Sequence, residues 1–143
     1  MSQKDFQPLR ERAFQFALDT VLFCRTLQTT WEARRIADQL FRSGTSVGAN
    51  YSAASQGRSR NEFIAKLGTV VEEADESCFW LRLIEAAEIN RSPQRDRLAG
   101  EAKELLLIFG ASLSTAKRNR RPRKSTGHAA PTPVNEPVDP LTR

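Results

Sequence analysis

Between Ser43 and Phe63 the chain reads SGTSVGANYSAASQGRSRNEF, and this stretch decides the fold. Nearly every residue from Ser43 to Ser55 is small, a run that depresses helix propensity, since Gly44 and Gly48 each cost about 1 kcal/mol relative to alanine. A helix there must recover the loss by close approach to its neighbours, with large residues such as Trp80 or Phe109 packing against its backbone. The competing reading is a glycine-rich loop. A phosphate-binding loop is disfavoured, because no Gly-Lys-Ser/Thr follows and no strand precedes. Gly57 is the left-handed residue expected to end the helix, and Ser59-Arg60-Asn61-Glu62 has the spacing of a capping box that opens the next one. A helix, a stop and a start within twenty residues specify a helical hairpin.

Working outward, the upstream helix begins at Thr29-Thr30-Trp31-Glu32, where Thr29 and Glu32 have capping-box spacing, and it runs to about Gln56. Before it, Leu9, Ala13, Phe16, Ala17, Val21, Cys24 and Leu27 recur at helical spacing. Phe14, Leu18, Leu22 and Phe23 fall beside or behind that stripe, so this helix is apolar over more of its circumference than one core requires. The excess implies either a subunit contact or cover by the chain's own termini. Downstream of Ser59, Phe63, Leu67, Val70, Ala74, Leu81 and Ile84 follow a rhythm of threes and fours, widened by Ile64, Val71 and Cys78, in what reads as the longest helix. Ser92 as N-cap and Pro93 at the first position start the fourth, with the stripe Leu98, Ala102, Leu105, Leu106, Phe109, Leu113 and Ala116. Short connections force neighbours to be antiparallel, so the expected fold is an all-α, up-and-down four-helix bundle over residues 1–118.

Charge is unevenly placed. The 143-residue chain carries a net +5, and residues 117–143 hold seven of its 22 basic and two of its 17 acidic side chains, leaving fifteen of each before them. Five of the seven prolines lie from Pro122 onward, so residues 119–143 read as a disordered Arg/Pro-rich tail. Lys117, Arg118, Arg120, Arg121, Arg123 and Lys124 place six positive charges in eight residues. Such a run can anchor RNA through its phosphates or merely keep the tail solvated. Arg34, Arg35 and Arg42 extend a candidate basic surface along the second helix, interrupted by Asp38.

Catalytic parts are missing. Carboxylate-bridged metal sites in bundles need Glu-x-x-His pairs, and the sole histidine is His128, so Glu72-Glu73-Ala74-Asp75-Glu76 reads as a solvated acidic face, with Glu76 available to an arginine of a neighbouring helix. No histidine can activate Ser46, Ser55 or Cys78, and Glu62 or Glu73 has nothing to mark it as a base. The expectation is a non-enzyme without cofactor or metal. Cys24 and Cys78 read as buried reduced thiols. With no signal-peptide or membrane-spanning stretch, the expected location is the cytoplasm.

From Gln39-Leu40-Phe41-Arg42-Ser43-Gly44-Thr45-Ser46-Val47-Gly48-Ala49-Asn50 through Gly57-Arg58-Ser59-Arg60-Asn61-Glu62-Phe63, the chain resembles the bacterial bundle proteins encoded in 23S ribosomal RNA intervening sequences. The resemblance implies an antiparallel bundle that assembles as a ring-shaped homopentamer. A related branch, the accessory variability determinant of diversity-generating retroelements, associates with RNA and a reverse transcriptase, which implies such partners here. It also implies structural hydrogen-bonding roles for Gln39, Arg42, Ser46, Asn50, Arg58 and Glu62, and it supplies no catalytic residue. Two departures from the family pattern stand at Ala53, where an acidic residue is usual, and at Val70, Glu72 and Glu73, where small residues are usual.

Overall fold

The computed structural model describes residues 8–120, which form four α-helices and one short 3-10 turn. Helix α1 spans Leu9–Cys24 and continues into the turn Arg25–Leu27; α2 spans Trp31–Ser55, α3 Arg60–Ala86 and α4 Pro93–Arg120. Residue pairs run in opposite directions along neighbouring helices. Gly44 lies beside Thr20 while Gly48 lies beside Ala13 and Ala17, and Arg95 reaches Leu81 and Glu85 while Arg120 reaches Asn61. The bundle is therefore up-and-down and antiparallel, as its short connections require. Its ends are unlike. One gathers the α1–α2 and α3–α4 connections, and the other gathers the start of α1, the α2–α3 turn and the last turns of α4.

The core contains the stripes expected from periodicity. Phe16, Leu27, Leu40, Val47, Leu67, Val70, Leu81, Ile84, Leu105 and Phe109 are all essentially inaccessible. Phe23 also points inward and is fully buried, whereas Phe14, Leu18 and Leu22 stay exposed on α1 together with Phe41 on α2. Cys24 is buried and donates to the Ala37 carbonyl, and burial followed by the charge of Asp38 pushes its thiol up to about 12. Cys78 is only half-buried, because its position on α3 lies at the margin of the core stripe.

Several local expectations are corrected. The N-cap of α2 is Thr30 rather than Thr29, its hydroxyl accepting the Ala33 amide at 3.2 Å. Among the described glycines none has positive φ, so Gly57 closes α2 without left-handed backbone. The left-handed residue is Glu88 (φ 58°), after α3. There the Glu88 amide bonds to the Glu85 carbonyl and the Ile89 amide to the Ile84 carbonyl, each at 3.0 Å, a Schellman closure with Ile89 packed on the core. The small residues of α2 do permit close approach, but toward Thr20, Ala13 and Ala17 of α1 rather than toward Trp80 or Phe109. The longest helix is α4 (28 residues), one more than α3. Its described part includes 119 and 120, with Lys117, Arg118 and Arg120 in the last turn, where cations interact favourably with the helix dipole.

Buried polar groups are all partnered among the described residues. Ser77 occupies a core position of α3; its hydroxyl donates to the Glu73 carbonyl at 2.8 Å and its oxygen lies 3.0 Å from the Ser43 hydroxyl on α2. Arg95 is buried between α3 and α4, donating to the Leu81 carbonyl at 3.0 Å and pairing with Glu85 and Asp96. Arg12 ties α1 to Glu101 and Glu104 of α4 at 2.9 and 3.0 Å. That pair fixes the stagger of the bundle: with Arg12 level with Glu101–Glu104, the last turns of α4 run past the start of α1.

Candidate nucleic-acid interface

Among the described residues, three helices rather than four reach one end of the bundle. A cleft of about 850 Å³ opens there between the end of α2, the α2–α3 turn, the start of α3 and the last turns of α4. Its lining combines apolar Ala54, Phe63, Ala111 and Ala116 with polar Ser55, Ser59, Ser112, Thr115 and Asn119, and of these Ala54 is buried and Phe63, Ser112 and Ala116 are half-buried. The capping box anticipated at Ser59 builds one wall. Ser59 Oγ accepts the Glu62 amide at 3.1 Å, and Glu62 reaches back to accept the Arg58 amide at 2.9 Å. The side chains of Arg58 and Arg60 are exposed beside the cleft.

The same end carries Lys117, Arg118 and Arg120, exposed on the final turn of α4. Arg118 donates to the Thr115 hydroxyl and Arg120 to Asn61 Oδ1, both at 3.4 Å. Among the described residues none of these five cations pairs with a carboxylate, in contrast to Arg12, Arg42, Arg91 and Arg95. Arg121, Arg123 and Lys124, the remainder of the basic run, lie outside the described residues. Sequence reading isolated the C-terminal run but missed Arg58 and Arg60 as its companions; the antiparallel return of α4 to the α2–α3 turn was the signal that joins them.

Arg34, Arg35 and Arg42 do not extend this surface. Arg34 and Arg35 are exposed near the start of α2, about 30 Å from its other end at 1.5 Å per residue. Arg42 is spent internally: it bonds Glu73 at 3.4 Å and Glu76, whose carboxylate also accepts Trp80 Nε1 at 3.2 Å. The Arg42 hydrogen bond, against a desolvation penalty and aided by Trp80, holds Glu76 below the usual carboxylate range. The acidic run of α3 thus serves the arginine partnership foreseen for Glu76. The remaining motif residues are local: Asn50 donates to the Ser46 carbonyl one turn back at 2.9 Å, and Gln39 is exposed.

Among the described residues no group of three His, Cys, Asp or Glu could hold a metal ion, and no helix is long and apolar enough to cross a membrane. No curated protein matches the chain significantly. A crystal structure from Bacteroides thetaiotaomicron, described as a protein of unknown function from the S23 ribosomal protein family, is similar at 28% identity with a TM-score of 0.69. The similarity covers 74% of this chain and 98% of that one. The family model for the 23S rRNA-intervening sequence protein matches residues 8–110, which takes in the Gly44/Gly48 helix, the capping box and the Arg12 tie, and the chain belongs to that family.

Proposed function

We propose that this protein is a non-catalytic, oligomeric bundle of the cytoplasm that associates with RNA through its basic end. The observation that carries this reading is the group Arg58, Arg60, Lys117, Arg118 and Arg120, five cations without carboxylate partners among the described residues, on one end of a body whose other described residues hold twelve basic and fourteen acidic side chains. Unpaired cations clustered on one face are the electrostatic footprint of phosphate binding. The exposed apolar face of α1, with Phe14 at 63% and Leu18 and Leu22 near 40% accessible, supports self-association. A homopentamer, the assembly that the family resemblance implies, would bring five such ends together and multiply weak contacts by avidity. A reverse transcriptase or another protein partner belongs to the same proposal. The second reading, a protein-interaction scaffold with no nucleic-acid role, draws on that same apolar face.

Salt dependence separates the two. Each phosphate contact to a single strand contributes about −0.7 to the slope of log affinity against log salt. Changing Lys117, Arg118 and Arg120 together to glutamine is expected to weaken RNA binding and reduce the slope by about 2, measured by fluorescence anisotropy. Changing Arg34 and Arg35 to glutamine is expected to leave both unchanged. Equal losses in the two variants, or no RNA binding by the intact chain, would refute the basic-end reading.

A further inference from the structure

Resting on that reading, we infer that the basic end recognises single-stranded RNA, with the cleft between the α2–α3 turn and the last turns of α4 receiving one unpaired base against Phe63. A phosphate-binding surface needs only charge, and the exposed cations supply it. This end has in addition an open cleft of about 850 Å³, which a surface that binds phosphates alone does not require.

The chemistry of the lining matches a base. Phe63 is half-buried, packed on the core on one side and open to the cleft on the other. From α4, Ala111 and Ala116 line the cleft with small side chains only. Ser112, Thr115 and Asn119 bring donors and acceptors to the α4 side of the cleft, within reach of the polar edge of a stacked base. The sugar-phosphate chain on either side then meets Arg58 and Arg60 at one lip and Arg118 at the other. An aromatic floor flanked by cations is the recurring arrangement for single strands, because every base has a face to stack and every phosphate a charge. A duplex keeps its bases stacked inside and cannot offer one without unpairing it.

The cleft owes its existence to the stagger set by Arg12, Glu101 and Glu104 rather than to a missing side chain. It can therefore be filled without disturbing the cations. Ser112→Trp places a ring in the space, and Phe63→Leu keeps an apolar floor while removing the aromatic face.

The test measures binding of the full chain at low salt to three labelled probes: an oligoadenylate of about ten nucleotides, the same strand with abasic sites, and a duplex of equal length. The intact chain is expected to bind the oligoadenylate about five- to tenfold more tightly than the abasic strand. Ser112→Trp and Phe63→Leu are each expected to erase that difference while leaving abasic binding unchanged, with thermal melts reporting that each variant is folded. Equal affinity of the intact chain for all three probes would overturn the base pocket and leave the basic end standing. A preference that survives in both variants would overturn it too. Failure to bind any probe would overturn both this inference and the reading beneath it.

Discussion

Replacing Phe109 by alanine is expected to destabilise the fold by about 3–5 kcal/mol. The ring is wholly inaccessible within the core formed by all four helices, and it meets Tyr51 of α2 at a centroid distance of 5.0 Å. Removing it forfeits the transfer free energy of a large apolar group and leaves a cavity that rigid helices cannot close. A domain of this size is stable by about 5–15 kcal/mol, so the loss takes a large part of the total. Urea unfolding should show a lowered midpoint with an unchanged slope. Leu107, two residues away and 67% accessible, provides the control: Leu107→Ala is expected to change stability by less than about 0.5 kcal/mol. Similar losses at the two positions would mean that α4 does not face the core as described.

Gly44→Ala is expected to cost about 1–3 kcal/mol even though alanine is the better helix former by about 1 kcal/mol. A methyl group at position 44 would lie 2.5 Å from Thr20 Cγ2, 2.7 Å from Oγ1 and 3.0 Å from Cβ. Thr20 cannot swing clear. It is fully buried, its hydroxyl donates to the Phe16 carbonyl at 2.8 Å, and its Cβ is itself part of the clash. Helices α1 and α2 would have to separate. At Gly100 on α4 nothing lies within 4 Å of the added methyl, so there the same substitution is expected to stabilise by about 0.5–1 kcal/mol. Opposite signs for one chemical change, read by thermal melts, would localise the close approach. Thr20→Ala in the Gly44→Ala background should recover at least half of the loss, since the two side chains then share the space.

The number of helices, their antiparallel order and most of the core were legible because each helix has a clear apolar period and a recognisable start. The start of α2 was displaced by one residue because Thr29 and Thr30 can both cap, and only packing of Ala33 into the core selects Thr30. The left-handed turn at Glu88 carries no glycine or asparagine to announce it. Nothing in the sequence marks Arg12 or Arg95 as buried, since Arg12 meets Glu101 from 89 positions away and Arg95 meets Glu85 on α3 as well as its neighbour Asp96. Ser77 fills the one gap in the α3 stripe, and its pairing with Ser43 follows only once α2 and α3 are in register. The candidate interface was half legible. The C-terminal cations stood out as a run, whereas Arg58, Arg60 and the cleft emerge from the unequal reach of α1 and α4, a property of the assembled bundle.

Photochemical crosslinking of the full chain to single-stranded RNA, with the attached residues read by mass spectrometry, tests RNA association through the basic end most directly. Adducts are expected in the segments 58–63 and 111–120, around Phe63, Arg58, Arg60 and the final turn of α4. Adducts confined to the opposite end of the bundle, in segments 25–35 and 86–93, would contradict that account.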